Sequence, residues 1–378
     1  MNLHVAMVAR TLNVRHLRGT GRYVQELLRN TRPEDQLRWT AYGHNPALPM
    51  RVPAGLIGKA EVFDFRGDRF HLWEQLGLPL RLRQSAAQLL HCAENTAPIW
   101  QPLPTIVTIH DTVPWEEDTH GLDRHYLHDV QKLALRRCAH VITISESSRR
   151  DIAARWPFLA DRLTIIPHGI ADEFFSDSRM PLPEVLEQAL RGAPYLLYLG
   201  GAQERKRFGW ALELLARSGR DDLHLVGCGF GAGTAPLERI PEALRGRVHF
   251  APFLEDGELV TLYRRAVAAI YPTLYEGFGF PAVEAQAAGT PVLFSPVSSL
   301  VDLVGPLAWT NPPQDFDAWL AALREVLALP AVVRADKAAA AAQWARGFSW
   351  RRSVARHFEV YREVLARSRP KGRQAPSS

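Results

Sequence analysis

Two doubly wound α/β domains, each built on a parallel sheet, are predicted by three features of this sequence. Its 378 residues exceed what one ordinary hydrophobic core organises. Short apolar runs alternate with helical stretches along most of the chain, as when parallel strands are joined by crossover helices. A proline-bearing break, "FFSDSRMPLPEVLEQALRGAP", divides that alternation into two series.

The first series opens with the apolar run "LHVAMVA" and the helical "GRYVQELLRN". The β-branched runs "TIVTIHD" and "HVITIS" follow. The second of these leads into "ESSRRDIAARW", a helix that Ser145 is placed to cap. "LTIIPHG" closes the series. The second comprises "PYLLYLGG", "LHLVGCG", "RVHFAPF", "VAAIYPT" and "TPVLFSP", separated by helical stretches such as "WALELLARS" and "DGELVTLYRRA". Beyond Pro313, "VVRADKAAAAAQWARGF" and "WRRSVARHFEVYREVLARS" read as helices. The expected organisation is residues 1–182, residues 183–348, a helix over 349–368 and a frayed tail over 369–378, with the main boundary between Phe174 and Pro194. In open parallel sheets ligands bind beyond the carboxyl ends of the strands, so two such sheets are expected to share a cleft.

Composition narrows the function. Hydrophobic residues at 47% and charged residues at 22% are those of a globular chain. The formal charge of +5 is modest and interspersed except near the end, where Arg351, Arg352, Arg356, Arg367, Arg369, Lys371 and Arg373 gather. A nucleic-acid partner would call for a concentrated basic face, so none is expected. The three cysteines, Cys92, Cys138 and Cys228, are far apart and lack metal-type spacing, which suits a reducing compartment. "MNLHVAMVAR" has no basic region before its apolar run and reads as a strand, and no apolar run is long enough to span a bilayer. A cytoplasmic protein is expected. The stretch "HLWEQLGLPLRLRQSAAQLLH", with Trp73, Arg81 and Arg83, reads as an amphipathic helix, packed on its own sheet or lying on a membrane or lipid-linked substrate.

The most informative stretch is "YEGFGFPAVEAQAAGTPV". Pro281 suits the first position of a helix, so "EGFGFP" is the loop that feeds it. Gly277 and Gly279 let the amides around Phe278 and Phe280 approach a ligand, and the helix start favours an anion. Glu276 and Glu284 would be repelled by that anion and are expected to face hydroxyl pairs instead. A diphosphate flanked by two polyols fits all three features, and a nucleotide sugar is such a ligand. The plainer alternative is that Glu284 complements the helix start and Glu276 is solvated.

The diphosphate needs cations, and "YLGGAQERKRFGW" places Arg205 and Lys206 after Gly200 and Gly201 at a strand's carboxyl end. Gly227-x-Gly229-x-x-Ala232 resembles a dinucleotide fingerprint, but Pro236 and Pro241 interrupt the helix that should follow. A loop that approaches a base or ribose is the better reading, and Phe253, after "RVHFAP", is grouped with it as donor-binding. In the first half, Gly19, Thr20, Gly21 and Arg22 stand ahead of a helix, placed to approach donor or acceptor. His110 and Asp111 end the strand of "VTIHD".

Together "GTGRYV", "IHD", "ITISESSRRDI", "IIPHGIADEFF", "YLGGAQERK", "LVGCG" and "EGFGFPAVEAQAAGTPV" resemble the retaining glycosyltransferases of family 4, or group 1, which have the GT-B fold of two Rossmann-like domains. The resemblance covers nearly the whole chain. It implies acceptor binding in the amino-terminal domain, donor binding in the carboxyl-terminal one, and a final helix crossing back to the first. Carried over, Glu284 would hold the donor ribose and Glu276 the sugar hydroxyls. Arg205 and Lys206 would bind the diphosphate, the amides of residues 277–280 would support both, and His110 would touch the sugar. The sequence departs from the family's common "PNG" and "AMACG" with "PHG" and "AQAAG". The implied activity is metal-independent, retaining transfer of a hexose or deoxyhexose from a GDP-mannose-like or other nucleotide sugar. The implied acceptor is a glycan or lipid-linked saccharide in bacterial surface polysaccharide assembly. No cofactor is expected. The alternatives are a nucleotide-sugar epimerase or hydrolase on the same fold, and a non-catalytic partner subunit that binds nucleotide sugar. Oligomeric state stays open.

Overall fold

The computed structural model describes residues 3–15, 17, 19–116, 121–176, 180–231 and 235–368. The chain divides into two units, Met1–Gly169 with Trp350–Ser378, and Ile170–Ser349. The division at Gly169 precedes the 174–194 interval in which the proline-bearing break suggests it. The basic residues Arg369, Lys371 and Arg373 of the tail lie outside the described residues, as does Ala232.

Seven parallel strands form the sheet of the first unit: β1 (Leu3–Val8), β2 (Leu37–Gly43), β3 (Gly58–Val62), β4 (Leu89–Cys92), β5 (Thr105–Thr108), β6 (His140–Thr143) and β7 (Leu163–Ile165). Their order is β3-β2-β1-β4-β5-β6-β7. Every residue of β1 is buried, because helices covering both faces of a parallel sheet demand an unbroken apolar run. The order reverses between β1 and β4, and beyond their carboxyl ends lies a buried ionic cluster. Arg10 Nε donates to Glu94 at 3.0 Å and Arg10 Nη2 to Glu74 at 3.3 Å. Glu74, fully buried, also accepts from Thr96, Gln131 and Tyr126. Burial, and then the Glu74 charge, pushes the Tyr126 phenol above its ordinary range, so it stays a donor.

The helix Trp350–Ser368 packs within this unit. Its apolar face presents Trp350, Val354, Phe358, Tyr361 and Val364, at three- and four-residue spacing. Tyr361 meets His91 at 2.7 Å and His357 meets Tyr23 at 2.8 Å, while Arg351 pairs with Asp35. His91, His110, His168 and His357 are all buried. Burial pulls His110 and His357 from 6.5 down to about 4, and it holds His91 and His168 well below 6.5, with the neighbouring histidines adding to it. Unfolded histidines take up protons that these do not, so acid favours the unfolded chain. Stability is therefore expected to be intact above pH 6.5 and to fall as pH drops from 6.5 towards about 4. Thermal unfolding at stepped pH checks this, and a flat profile across that window contradicts it.

The second unit holds β8 (Tyr195–Leu199), β9 (His224–Cys228), β10 (Val248–Phe250), β11 (Ala268–Tyr271), β12 (Val292–Phe294) and β13 (Ala308–Thr310). All pairings are parallel, in the order β10-β9-β8-β11-β12-β13. The order reverses between β8 and β11. Loops leaving the carboxyl ends of two strands at such a reversal diverge to opposite sides of the sheet and leave a crevice between them. The two loops here are the "GGAQERK" loop after β8 and the "PTLYEGFGF" loop after β11.

Candidate active site

Arg205 and Lys206 meet Glu276 at this reversal. Lys206 Nζ and Arg205 Nη1 both reach Glu276 Oε1, Arg205 at 3.2 Å, and Thr273 Oγ1 donates to the same oxygen at 2.8 Å. Lys206 Nζ also donates to the Tyr271 hydroxyl at 3.1 Å, and Arg205 Nη1 to the Tyr275 carbonyl at 2.6 Å. The two loops are further tied by the Leu274 amide, which donates to the Arg205 carbonyl at 2.9 Å. Two cations and one carboxylate leave one positive charge. Arg205 Nε is buried without a hydrogen-bond partner. An orphaned guanidinium nitrogen is costly, and beside a surplus cation it suits an anion that completes the set.

Glu276, expected from the sequence to face hydroxyls, is paired here with the two cations. The expectation rested on repulsion from a bound anion. The carboxylate is a charge-assisted partner for two partly buried cations. Its backbone is fixed by Ser298, whose hydroxyl accepts from the Glu276 amide at 2.8 Å and donates to the Glu276 carbonyl at 2.9 Å. Ser298 itself has φ 46°, a left-handed conformation that costs a non-glycine residue about 1–3 kcal/mol. Ser299 bridges the carbonyls of Glu276 and Phe278.

The helix Phe280–Ala287 follows, with Gly279 as its N-cap at φ 104°. A Cβ on Gly279 would press on the Leu300 side-chain end, and the positive φ is what favours glycine there. Phe280 takes the first helical position and Pro281 the second, one residue later than expected. Glu284 is buried at 3% exposure and accepts from the Tyr263 hydroxyl at 2.9 Å. Phe278 packs edge-on against Phe280, and Gly277 continues the loop between the two glutamates.

The glycines after β8 and β9 do more than expose amides. Gly201 (φ 65°) and Gly229 (φ 88°) pack backbone to backbone, and a Cβ on Gly201 would lie 2.5 Å from the Gly229 carbonyl oxygen. Gly200 is closed over by Tyr198, whose hydroxyl holds the carbonyls of Gly201 and Lys206. A Cβ on Gly227 would meet the Phe230 ring at 2.9 Å. These contacts shape the loop that carries Arg205 and Lys206. Phe253, after β10, is half-exposed.

In the first unit, the described part of the Gly19 loop is not ahead of a helix but inside it: Gly19, Thr20, Gly21 and Arg22 form the first turn of Gly19–Arg29. Gly21 packs where a Cβ would lie 2.8 Å from the Thr11 carbonyl oxygen. His110, 7% exposed, donates from Nε2 to the Ala93 carbonyl at 2.9 Å and sits edge-on to Tyr23. Asp111 accepts from the Val113 amide at 3.1 Å. Thr273, Tyr271, Ser298 and Tyr263 were not singled out from the sequence. Thr273 lies three residues before Glu276 in the same loop and was within reach of that reading; Ser298 and Tyr263 are brought in only by the fold.

Residues 187–345 match the family described as "Glycosyl transferases group 1" and residues 17–174 the one described as "Glycosyltransferase Family 4". The chain is 28% identical over 269 residues to the O-antigen chain mannosyltransferase B of Escherichia coli, covering 68% of this chain and 70% of that one. It is 30% identical over 268 residues to the glycogen synthase of Mycobacterium tuberculosis, covering 68% and 63% respectively. It is 28% identical over 250 residues to the MMP alpha-(1->4)-mannosyltransferase of Mycolicibacterium hassiacum, covering 63% of this chain and 57% of that one. Among solved structures, sucrose-phosphate synthase from Thermosynechococcus elongatus superposes with TM-score 0.71 at 21% identity, over 97% of this chain and 100% of that one. HepE of Anabaena, solved with UDP and glucose, superposes with TM-score 0.72 at 16% identity, over 96% and 100%.

Proposed function

Since the chain belongs to the group 1, or family 4, glycosyltransferases of GT-B fold, we propose that it moves a hexosyl group from a nucleoside diphosphate sugar to a glycan or lipid-linked acceptor. Retention of anomeric configuration and assembly of a bacterial surface polysaccharide are part of this reading. Similarity to O-antigen mannosyltransferases supports a mannose-type donor.

The observation that carries it is the surplus cation at the β8–β11 reversal, with its orphaned Arg205 Nε. An incoming diphosphate takes over Arg205 and Lys206, and Glu276, displaced from them, turns to the hydroxyls of the sugar. As the acceptor hydroxyl oxygen bonds to the anomeric carbon, the bond from that carbon to the phosphate oxygen breaks, its electron pair stays on the diphosphate, and the acceptor's proton passes to a phosphate oxygen. The two cations and the start of the helix Phe280–Ala287 stabilise that charge as it grows. A pair of fixed cations can supply this stabilisation without a divalent ion, so turnover in the presence of a chelator is part of the proposal. Glu284, held by Tyr263, binds the ribose diol.

Glu284→Ala is expected to weaken binding of the nucleoside diphosphate by about tenfold or more, the loss of one or two charge-assisted hydrogen bonds. Calorimetric titration checks it, and unchanged affinity would remove Glu284 from the donor site. Nucleoside diphosphate release that requires added acceptor separates transfer from the epimerase or hydrolase alternative.

A further inference from the structure

The segment 69–83 of the first unit is amphipathic in an unusual sense. Trp73, Leu78 and Leu82 point into the core, as a helix packed on its own sheet requires. The opposite face should then be polar. Instead it repeats Leu72, Leu76 and Leu80 at four-residue spacing, each 46% exposed, with Phe70 at 43% beside them. Single exposed leucines need no explanation, but an ordered row with an aromatic neighbour marks an interaction surface.

Cations frame the row. Arg69 and Arg83 are exposed at its two ends. The Arg83 guanidinium lies 5.8 Å over the ring of Trp100, itself 37% exposed. Gln75 fixes the Trp100 segment against the helix, accepting from the Ile99 amide at 2.9 Å and donating to the Ala97 carbonyl at 3.1 Å. The helix Gln131–Arg137 adds exposed Leu133 with Lys132, Arg136 and Arg137, and Arg137 reaches the Ile99 carbonyl. Of the acids nearby, Glu61 is paired with Arg81 and Lys59 and Asp68 accepts from the amides of Phe70, Leu72 and Trp73, while the exposed cations Arg69, Arg83, Lys132, Arg136 and Arg137 outnumber the exposed Asp64, Asp123 and Asp129.

We propose that this face docks on a bilayer surface bearing anionic phospholipid headgroups. Leu72, Leu76, Leu80, Phe70 and Trp100 enter the headgroup–acyl boundary, and Arg69 and Arg83 reach the phosphates on the flexible stems typical of arginine. Charge complementarity selects this occupant. A second copy of the chain would bring like charges together at both ends of the row, whereas an anionic surface meets them with the opposite sign. Among the described residues no helix is long and apolar enough to cross a membrane. The segment lies on the surface. This docking goes beyond the proposed reaction and stands whether or not the acceptor is lipid-linked.

Flotation of the full chain with vesicles tests it. Binding is expected to vesicles containing phosphatidylglycerol, to fall with added salt, and to be weak on phosphatidylcholine alone. The combined Leu72→Gln, Leu76→Gln and Leu80→Gln variant is expected to lose at least about tenfold in affinity, since each leucine removes apolar carbons from water on docking. Arg69→Glu with Arg83→Glu, which leaves the apolar row in place, is expected to lose the preference for phosphatidylglycerol. Unfolding midpoints close to that of the unmodified chain show that both variants fold. Absence of binding to phosphatidylglycerol vesicles overturns the proposal. So does binding that both variants retain, or a dimer that the leucine variant abolishes while vesicles go unbound.

Discussion

Lys206→Ala is expected to lower kcat by about 10²–10³-fold, the loss typical of removing one preorganised donor from a developing oxyanion. The side chain is 11% exposed, against 29% for Arg205, so its charge is the less screened of the two. Its removal also leaves Glu276 with less compensation and shifts the remaining pair from a surplus of one positive charge to none. Arg205→Ala is expected to act in the same direction with a smaller fall, because the exposed part of the guanidinium already shares its field with solvent. Steady-state kinetics separate two roles. If the cations serve only ground-state binding, KM rises while kcat holds; if they stabilise the departing diphosphate, kcat falls. Near-normal kcat in a folded Lys206→Ala protein would contradict the assignment.

The largest expected loss of stability lies in the other unit. Glu74→Ala removes the acceptor shared by Arg10, Thr96, Tyr126 and Gln131, all in a region closed to water. Breaking a buried ion pair from one side strands the other charge, and a cost of about 3–5 kcal/mol is expected. For a unit of this size that corresponds to a fall in Tm on the order of 10 °C. Burial pulls the Arg10 guanidinium down, but Glu74 and Glu94 more than offset it and raise it overall, so it cannot escape by losing its proton. Glu74→Gln keeps a carbonyl acceptor and is expected to cost less. Urea or thermal unfolding checks both, and a loss below about 1 kcal/mol for Glu74→Ala would mean that Glu94 alone satisfies Arg10.

How much of this was legible follows from where the partners lie along the chain. Runs such as "LHVAMV" and "YLLYL" announced buried parallel strands, because both of their faces are covered. β3, "GKAEV", carried no such signal: it is an edge strand with three exposed residues, so nothing forces its composition to be apolar. The helix after "EGFGFP" was legible from Pro281, whose fixed φ has a known place in a helix. The meeting of Lys206 with Glu276 was only half legible. Residue types and strand ends put them in one region, but the ion pair, between residues 70 positions apart in sequence, depends on β8 and β11 being neighbours. The Arg10–Glu74–Glu94 cluster was not legible at all, with partners 64 and 84 positions away and no local motif. For the segment with Leu72, Leu76 and Leu80 the sequence left both placements open, on its own sheet or on a membrane or lipid-linked substrate, since a periodic pattern identifies two faces of a helix without saying which one turns inward.

Where the chain leaves the first unit and where it re-enters it are neighbours. Ile170 bridges Ser349 in parallel and its amide donates a 2.9 Å hydrogen bond to the Phe348 carbonyl, and a Cβ on Gly169 would lie only 2.1 Å from the Trp350 nitrogen. In topological terms residues 170–349 are an insertion whose ends meet. Such a body can be excised as one continuous polypeptide, and its host can be resealed by a very short splice from Gly169 to Trp350. An amino-terminal fragment that simply stops at Gly169 would lack His357 and Tyr361, which bond Tyr23 and His91, and needs the peptide Trp350–Ser368 supplied to it in trans.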